Sequence, residues 1–220
     1  MKFTMKHQPS YTMVQLDLEA GEKLKAEAGA MIYMTPSIAM DTTFGSGILS
    51  AIARKFLGGE SLFLNEFTAQ ETGSKLAVAS GMVGDVQHYP VNGNCIYLQA
   101  GSYLCSTPGV QLQTMFGGIK AFFGGEGLFL IKVSGNGDLF FSSYGAIIPV
   151  DVTSGYVVDT GHIVAFEDSL TFRVKKVGGW KATLLSGEGF VCEFSGQGRL
   201  WLQSRLPDGF IGWIMKLLPR

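Results

Sequence analysis

The chain has 220 residues, of which 46% are hydrophobic and only 16% are charged, against a usual charged share of roughly 25%. This balance indicates a large buried surface and excludes a disordered chain. The net charge of −1 leaves no overall field that would attract nucleic acid or an acidic membrane. No apolar run reaches the roughly 18 residues that span a bilayer, and the first residues do not resemble a signal peptide. We therefore expect a cytoplasmic protein.

Glycine and cysteine add to this picture. The sequence holds 30 Gly and 7 Pro without a low-complexity tract, which favours short strands joined by tight turns. Its three cysteines, Cys95, Cys105 and Cys192, lie in or beside apolar runs. An odd number of cysteines in apolar surroundings predicts buried free thiols in a reducing compartment, with little reactivity.

The first part of the chain, residues 1–83, is predicted as strands, a turn at Gly29, a crossing segment and a hairpin. In the crossing segment Ile48, Ile52 and Phe56 recur at helical spacing, which predicts a short amphipathic helix over 47–57. A Gly-Glu sequence at 59–60 then opens the predicted hairpin, which runs to residue 80 with a turn over 68–73.

The next part, residues 84–146, shows the same order of features. A turn at Gly101 is followed by a glycine-broken apolar segment over 116–123 and a Gly-Glu hairpin over 125–143. Short apolar, aromatic-rich runs flank the turn Ser-Gly-Asn-Gly over 134–137, a pattern typical of a β-hairpin.

Residues 147–205 repeat the order once more, with a turn at Gly161 and a hairpin over 187–204. Alternation around its turn predicts that Cys192 and Phe194, together with Phe190, share one face of a strand, with Val191 and Glu193 on the other.

These correspondences predict three tandem copies of one β unit, at about 1–83, 84–146 and 147–205. A glutamate opens each predicted hairpin: Glu60, Glu126 and Glu188 are spaced by 66 and 62 residues. Two roles stay open for them. Each carboxylate accepts backbone N–H bonds at the start of its hairpin, or each reaches a neighbouring unit.

The tail, residues 206–220, is predicted as a helix that Asp208 caps and Pro219 ends. It is apolar nearly all round, so we expect protein to cover it, either the body of the chain or a neighbouring subunit. Peripheral attachment to a membrane is the less favoured alternative, because Lys216 and Arg220 are its only basic residues.

The Gly-Gly-Glu hairpins, the Ala-Gly turns and the apolar tail together resemble the altered-inheritance-of-mitochondria family, whose prokaryotic members are of unknown function. The resemblance spans roughly residues 3–205. It implies a fold similar to the tryptophan-RNA-binding attenuation protein, a shortened double-stranded β-helix unit that assembles into rings. Three such units per chain would complete a nine-unit ring as a homotrimer. The family supplies no catalytic residues.

Nothing in the chain predicts a catalytic, cofactor or metal site. The turn glycines lead into strands, whereas a phosphate site needs them to open a helix. His7, His88 and His162 lack the spacing of metal ligands and are predicted at the surface or in turns. Arg173, Lys175 and Lys176 form a basic cluster that the second copy does not repeat, which gives no strong signal for nucleic acid.

We therefore predict an all-β, non-enzymatic structural or scaffold protein that forms a ring of β units. The alternative is a binding module for a small ligand or RNA in clefts between the units.

Overall fold

The computed structural model describes residues 1–43, 64–114, 130–176 and 190–218. Most of these residues lie in strands that form several antiparallel sheets, so the prediction of an all-β protein is confirmed. The helix predicted over 47–57 falls outside the described residues, as do Phe116 to Phe123.

The elements are numbered here in chain order. The strands are β1 Lys2–Lys6, β2 Met13–Leu18, β3 Lys23–Glu27, β4 Met31–Met34, β5 Ile38–Thr43, β6 Leu64–Ala69, β7 Ser74–Ala79, β8 Val86–Asn92, β9 Ile96–Gln99, β10 Tyr103–Ser106, β11 Val110–Thr114, β12 Leu130–Ser142, β13 Ile147–Val152, β14 Gly155–Asp159, β15 Ile163–Glu167, β16 Leu170–Lys176, β17 Phe190–Gly196 and β18 Gly198–Gln203. In the described part of the chain, one α-helix, α1, covers Pro207–Met215.

Alternating side chains explain why these segments form strands. In β2, Val14, Leu16 and Leu18 are buried, and the residues between them are half-buried. A period of two places one set of side chains on the core face of a pleated strand. Each buried side chain of this size stabilises the fold by about 1.5–3 kcal/mol relative to exposure.

The chain divides into two compact units. The first comprises Met1–Gly93, Tyr103–Gln111 and Ser134–Ser142. One of its sheets has the order β1-β2-β7-β4, and a second runs β5-β6-β3-β10 and continues through residues of β12 to β8. The core of this unit lies on the inner faces of these strands and includes Val14, Leu16, Leu24, Phe67, Leu76, Val78, Leu104 and Phe140.

The second unit comprises Asn94–Ser102, Leu112–Val133 and Ser143–Arg220. Its larger sheet has the order β13-β18-β15-β9 and ends on the first residues of β12, and a smaller sheet has the order β14-β17-β16. The core is rich in aromatic and branched side chains: Val158, Ile163, Phe166, Leu170, Cys192, Phe194 and Leu200.

The glycine turns predicted as hairpins do not join strands that pair with each other. β17 pairs with β14 and β16, whereas the next strand, β18, pairs with β13 and β15. Likewise β6 pairs with β3 and β5, whereas β7 pairs with β2 and β4. In β12, residues 130–133 pair with β9, and residues 136–142 pair with β8.

The hairpin prediction was therefore wrong at all three turns. A glycine at positive φ, such as Gly196 with φ 102°, lets the chain turn sharply. The local sequence looks the same whether the chain folds back on itself or turns from one sheet into another. Only the pairing with distant strands distinguishes the two cases.

Three strands share an irregularity of register. Where β4 pairs with β7, the register shifts by one residue between Met31 and Tyr33. The same shift occurs between Tyr103 and Cys105 where β10 pairs with β12, and between Ile163 and Ala165 where β15 pairs with β18. A bulge of this kind leaves one residue out of the ladder and increases the local twist.

Candidate functional site

The glutamates that open the predicted hairpins, Glu60, Glu126 and Glu188, lie outside the described residues. Their role, structural or between units, stays a prediction.

The structure places the three histidines apart from one another. In β8 the Nε2 atom of His88 lies 2.7 Å from Oδ1 of Asp138, and the ring packs against Phe3 and Phe140, which also contact each other. His162 ends a short 3-10 helix, and its Nδ1 lies 2.6 Å from the carbonyl oxygen of Gln203. Within residues 1–43, 64–114, 130–176 and 190–218, no three His, Cys, Asp or Glu side chains are grouped to hold a metal ion.

Two of the three thiols are fully buried, as predicted, and the third is not. Cys105 and Cys192 have no exposed surface, whereas Cys95 is only half-buried beside its turn. Burial raises the pKa of the Cys105 thiol far above its usual range, and it raises the pKa of Cys192 to about 12, with the charge of Asp159 acting in the same direction. Because the thiolate is the nucleophile, both buried cysteines are unreactive in the folded chain.

We expect one rapidly reacting thiol per native chain, that of Cys95, in a titration with a chromogenic disulfide reagent at pH 8. Guanidinium chloride should release the other two, because unfolding returns their pKa values to the normal range. The Cys95→Ser variant should lose the rapid phase. A native chain with two or three rapid thiols would contradict the buried positions of Cys105 and Cys192.

The predicted basic cluster is partly neutralised by its own sheet. Arg173 lies opposite Glu193 in the pairing of β16 with β17, and Lys175 forms an ion pair with the same carboxylate. The hydrogen bond and charge of Lys175 lower the pKa of Glu193. Glu193 therefore offsets part of the positive charge of Arg173 and Lys175 at this surface.

The C-terminal helix was predicted correctly in type and wrongly in its capping residue. α1 begins at Pro207 with Leu206 at the cap position, and no side chain caps it, so Asp208 lies inside the first turn. Phe210 approaches Tyr144 with a ring separation of 6.2 Å. The other large apolar side chains of this segment are mostly exposed on the single chain: Ile211, Trp213, Met215, Leu217 and Leu218. Among the described residues, no helix has the length and apolar character to cross a membrane.

The strand β4 is an exposed apolar edge. It lies at the end of its sheet and pairs on one side with β7. Its side chains are large and apolar, and Met31, Ile32 and Tyr33 are 39%, 50% and 42% exposed. No residue from Met31 to Met34 carries a charge. Edge strands usually carry charges or prolines that block pairing with another chain, and β4 has neither.

The strand β14 is a second edge of the same character. It ends the sheet β14-β17-β16 and pairs on one side with β17. Tyr156 is 44% exposed and Val157 is 62% exposed, and the first charge of the strand is its last residue, Asp159. Among the described residues, the other side of β14 pairs with no strand. An open strand edge beside apolar side chains is the arrangement by which sheets add a further strand.

The sequence predicted strands in the regions of β4 and β14, but it did not predict that each would lie at the edge of its sheet. One signal was present for β4. The run Met31-Ile32-Tyr33-Met34 is apolar at every position, whereas a strand with one solvent-facing side alternates. A continuous apolar run indicates a strand that is covered on both faces.

The part of the chain that the structure describes is all-β, with several antiparallel sheets and exposed apolar edge strands. Comparison with known proteins then identifies the family. The pattern of the family described as Mitochondrial biogenesis AIM24 matches residues 3–205, and the chain belongs to this family.

Two relatives extend the comparison. An uncharacterised protein of Streptococcus pyogenes serotype M6 is 29% identical over 228 residues, which covers 100% of this chain and 92% of that protein. An X-ray crystal structure of a protein from Streptococcus pyogenes, 26% identical, superposes with a TM-score of 0.81 over 99% of both chains. Both similarities extend over the full length of the chain, and neither relative's description names an activity.

Proposed function

We propose that this protein is a non-enzymatic structural or scaffold protein whose copies assemble into a closed ring of β units. The observation that carries the proposal is the pair of apolar edges, β4, which has no charge, and β14, whose single charge is its last residue, Asp159. Their exposed side chains are large and apolar and offer contact area, so assembly is the role that they support.

The strand pairings support the idea that the ring is built from three repeats per chain. With β1 set aside, each proposed repeat has six strands, and in the second repeat the two halves of β12 take the fifth and sixth places. The first and third strands flank the sixth: β2 and β4 flank β7, β8 and β10 flank the second half of β12, and β13 and β15 flank β18. The second and fourth strands pair with the fifth in the same way: β3 and β5 with β6, β9 and β11 with β12, and β14 and β16 with β17.

In this scheme successive strands alternate between two sheets, which is the arrangement of a shortened double-stranded β-helix. The glycine turns carry the chain from one sheet to the other. Nine such units in three chains would give the homotrimer that the family resemblance implies. A cytoplasmic location stays a prediction from the odd number of cysteines.

We expect size-exclusion chromatography with light scattering to give a mass of about 71 kDa at micromolar concentration, three times the 23.7 kDa chain. Apolar edges of this kind bury surface only when chains associate, so the trimer should persist in high salt. A monodisperse species near the mass of one chain would contradict the proposal.

A further inference from the structure

We propose that the edge strand β14 of one chain pairs antiparallel with the edge strand β4 of a second copy, in a register that sets Val157 opposite Met34. This inference rests on the proposed assembly and adds to it the two strands and the residues that meet. It follows from two antiparallel strand pairings within the chain, β3 with β10 and β9 with β15, which we call internal joints.

The first internal joint is the pairing of β3 with β10. Ala26 lies opposite Cys105, and Lys25 lies opposite Ser106. Cys105 is the residue that follows the bulge in β10. Ala26 lies three residues before the turn glycine, Gly29.

The second internal joint, between β9 and β15, has the same register. Leu98 lies opposite Ala165, and Tyr97 lies opposite Phe166. Ala165 is again the residue that follows the bulge, and Leu98 lies three residues before Gly101. In both joints, therefore, the residue after the bulge of one strand faces the residue three before the glycine of the other.

Among the described residues there is one further strand of each kind, and neither pairs with a described strand in this way. In β4 the residue after the bulge is Tyr33. In β14 the residue three before Gly161 is Val158. Placing these two residues opposite each other also pairs Val157 with Met34.

Exposure distinguishes these strands from their counterparts. The three residues of β4 around its bulge are 39–50% exposed, whereas the corresponding residues of the paired strands are at most 1% exposed: Tyr103, Leu104 and Cys105 in β10, and Ile163, Val164 and Ala165 in β15. In β14, Tyr156 is 44% exposed, whereas its counterparts Leu24 and Ile96 have no exposed surface. Both edge strands therefore expose large apolar side chains at positions that are buried in the corresponding paired strands.

The side chains that the register brings together also fit. In the second internal joint, Tyr97 stacks on Phe166 with ring centroids 5.2 Å apart. Val157 and Met34 take the corresponding positions and are both apolar. Since directly opposed residues have adjacent Cβ atoms, the pair would remove exposed apolar surface from water.

The register can be tested with an engineered disulfide. We expect the double variant Met34→Cys with Val157→Cys, in a Cys95→Ser background, to form covalent trimers on mild oxidation, seen on denaturing gels without reductant. Opposed Cα atoms in an antiparallel pair lie about 4.5–5.5 Å apart, within the range of a disulfide. The matched control is Met31→Cys with Val157→Cys, which the bulge leaves two pairing positions out of register, or about 7 Å along the strand. It should cross-link at least tenfold more slowly.

A second variant tests the edge without cysteines. Val157→Lys should convert the assembly to monomers in light scattering while the far-ultraviolet circular dichroism stays that of the wild type, because a charge would replace an apolar contact. Val83→Lys is the control, since Val83 is also apolar and is 53% exposed outside the two edges. It should leave the mass unchanged.

The outcomes separate the two proposals. A wild-type trimer in which the in-register cysteines do not cross-link overturns the β14–β4 joint and leaves the assembly standing. Equal cross-linking of both cysteine pairs overturns the register. A wild-type chain that stays a monomer overturns the assembly and the joint together.

Discussion

Replacing Phe166 with alanine is expected to lower the free energy of unfolding by about 3–5 kcal/mol, the range for deleting a buried phenylalanine. Phe166 has no exposed surface. Its ring centroid lies 5.2 Å from each of three aromatic rings, those of Tyr97, Phe172 and Phe194. Removing it leaves a cavity whose aromatic lining cannot collapse freely, and it also ends three ring contacts.

The measurement is guanidinium chloride unfolding followed by fluorescence and circular dichroism, at one fixed protein concentration because association contributes to apparent stability. The matched control is Phe172→Ala, which removes the same atoms from a half-buried position of the same cluster. Its loss should be clearly smaller. A Phe166→Ala loss below about 1 kcal/mol would contradict the packing described for the second unit.

The second large effect is expected at Gly135, where alanine should cost at least about 2 kcal/mol. Gly135 has φ 99°, which a side chain disfavours by roughly 1–2 kcal/mol. In addition, a Cβ atom there would meet the carbonyl oxygen of Gly109 inside normal contact distance. That oxygen accepts a hydrogen bond from the N–H of Asn136, so it cannot move away without cost.

Gly73→Ala is the control for the conformational part of this effect. Gly73 has φ 84°, and no atom lies within 4 Å of the position that its Cβ would take. Its loss should be about 1 kcal/mol, from backbone strain alone. The same unfolding measurement compares the two variants, and equal losses would show that the contact between Gly135 and Gly109 adds nothing.

Local pattern was sufficient to predict the faces of individual strands. The alternation around the third glycine turn placed Phe190, Cys192 and Phe194 on one face, and of these Cys192 and Phe194 are fully buried and Phe190 is half-buried. It assigned Val191 and Glu193 to the other face, where both are half-buried. These predictions succeeded because the side-chain period of a strand depends on the strand alone.

Predictions that depended on distant partners were less successful. The turn over 134–137 was predicted as a hairpin, but the N–H of Asn136 donates to the carbonyl oxygen of Gly109, in a distant segment that no local pattern connects to it. The tail illustrates a different limit. Its composition predicted a covered helix, but Trp213 and its apolar neighbours are exposed on the single chain. Composition indicates that such an apolar surface is covered by other residues, but it does not identify which residues cover it.

The internal joints have a consequence for how the proposed assembly responds to dilution. The pairings of β3 with β10 and of β9 with β15 occur within one polypeptide, so the effective concentration of each partner is fixed by the connecting chain and is independent of protein abundance. Only the joint between chains obeys mass action. At low abundance the assembly would therefore come apart at one type of joint, releasing folded chains, and dissociation and unfolding would be separate events.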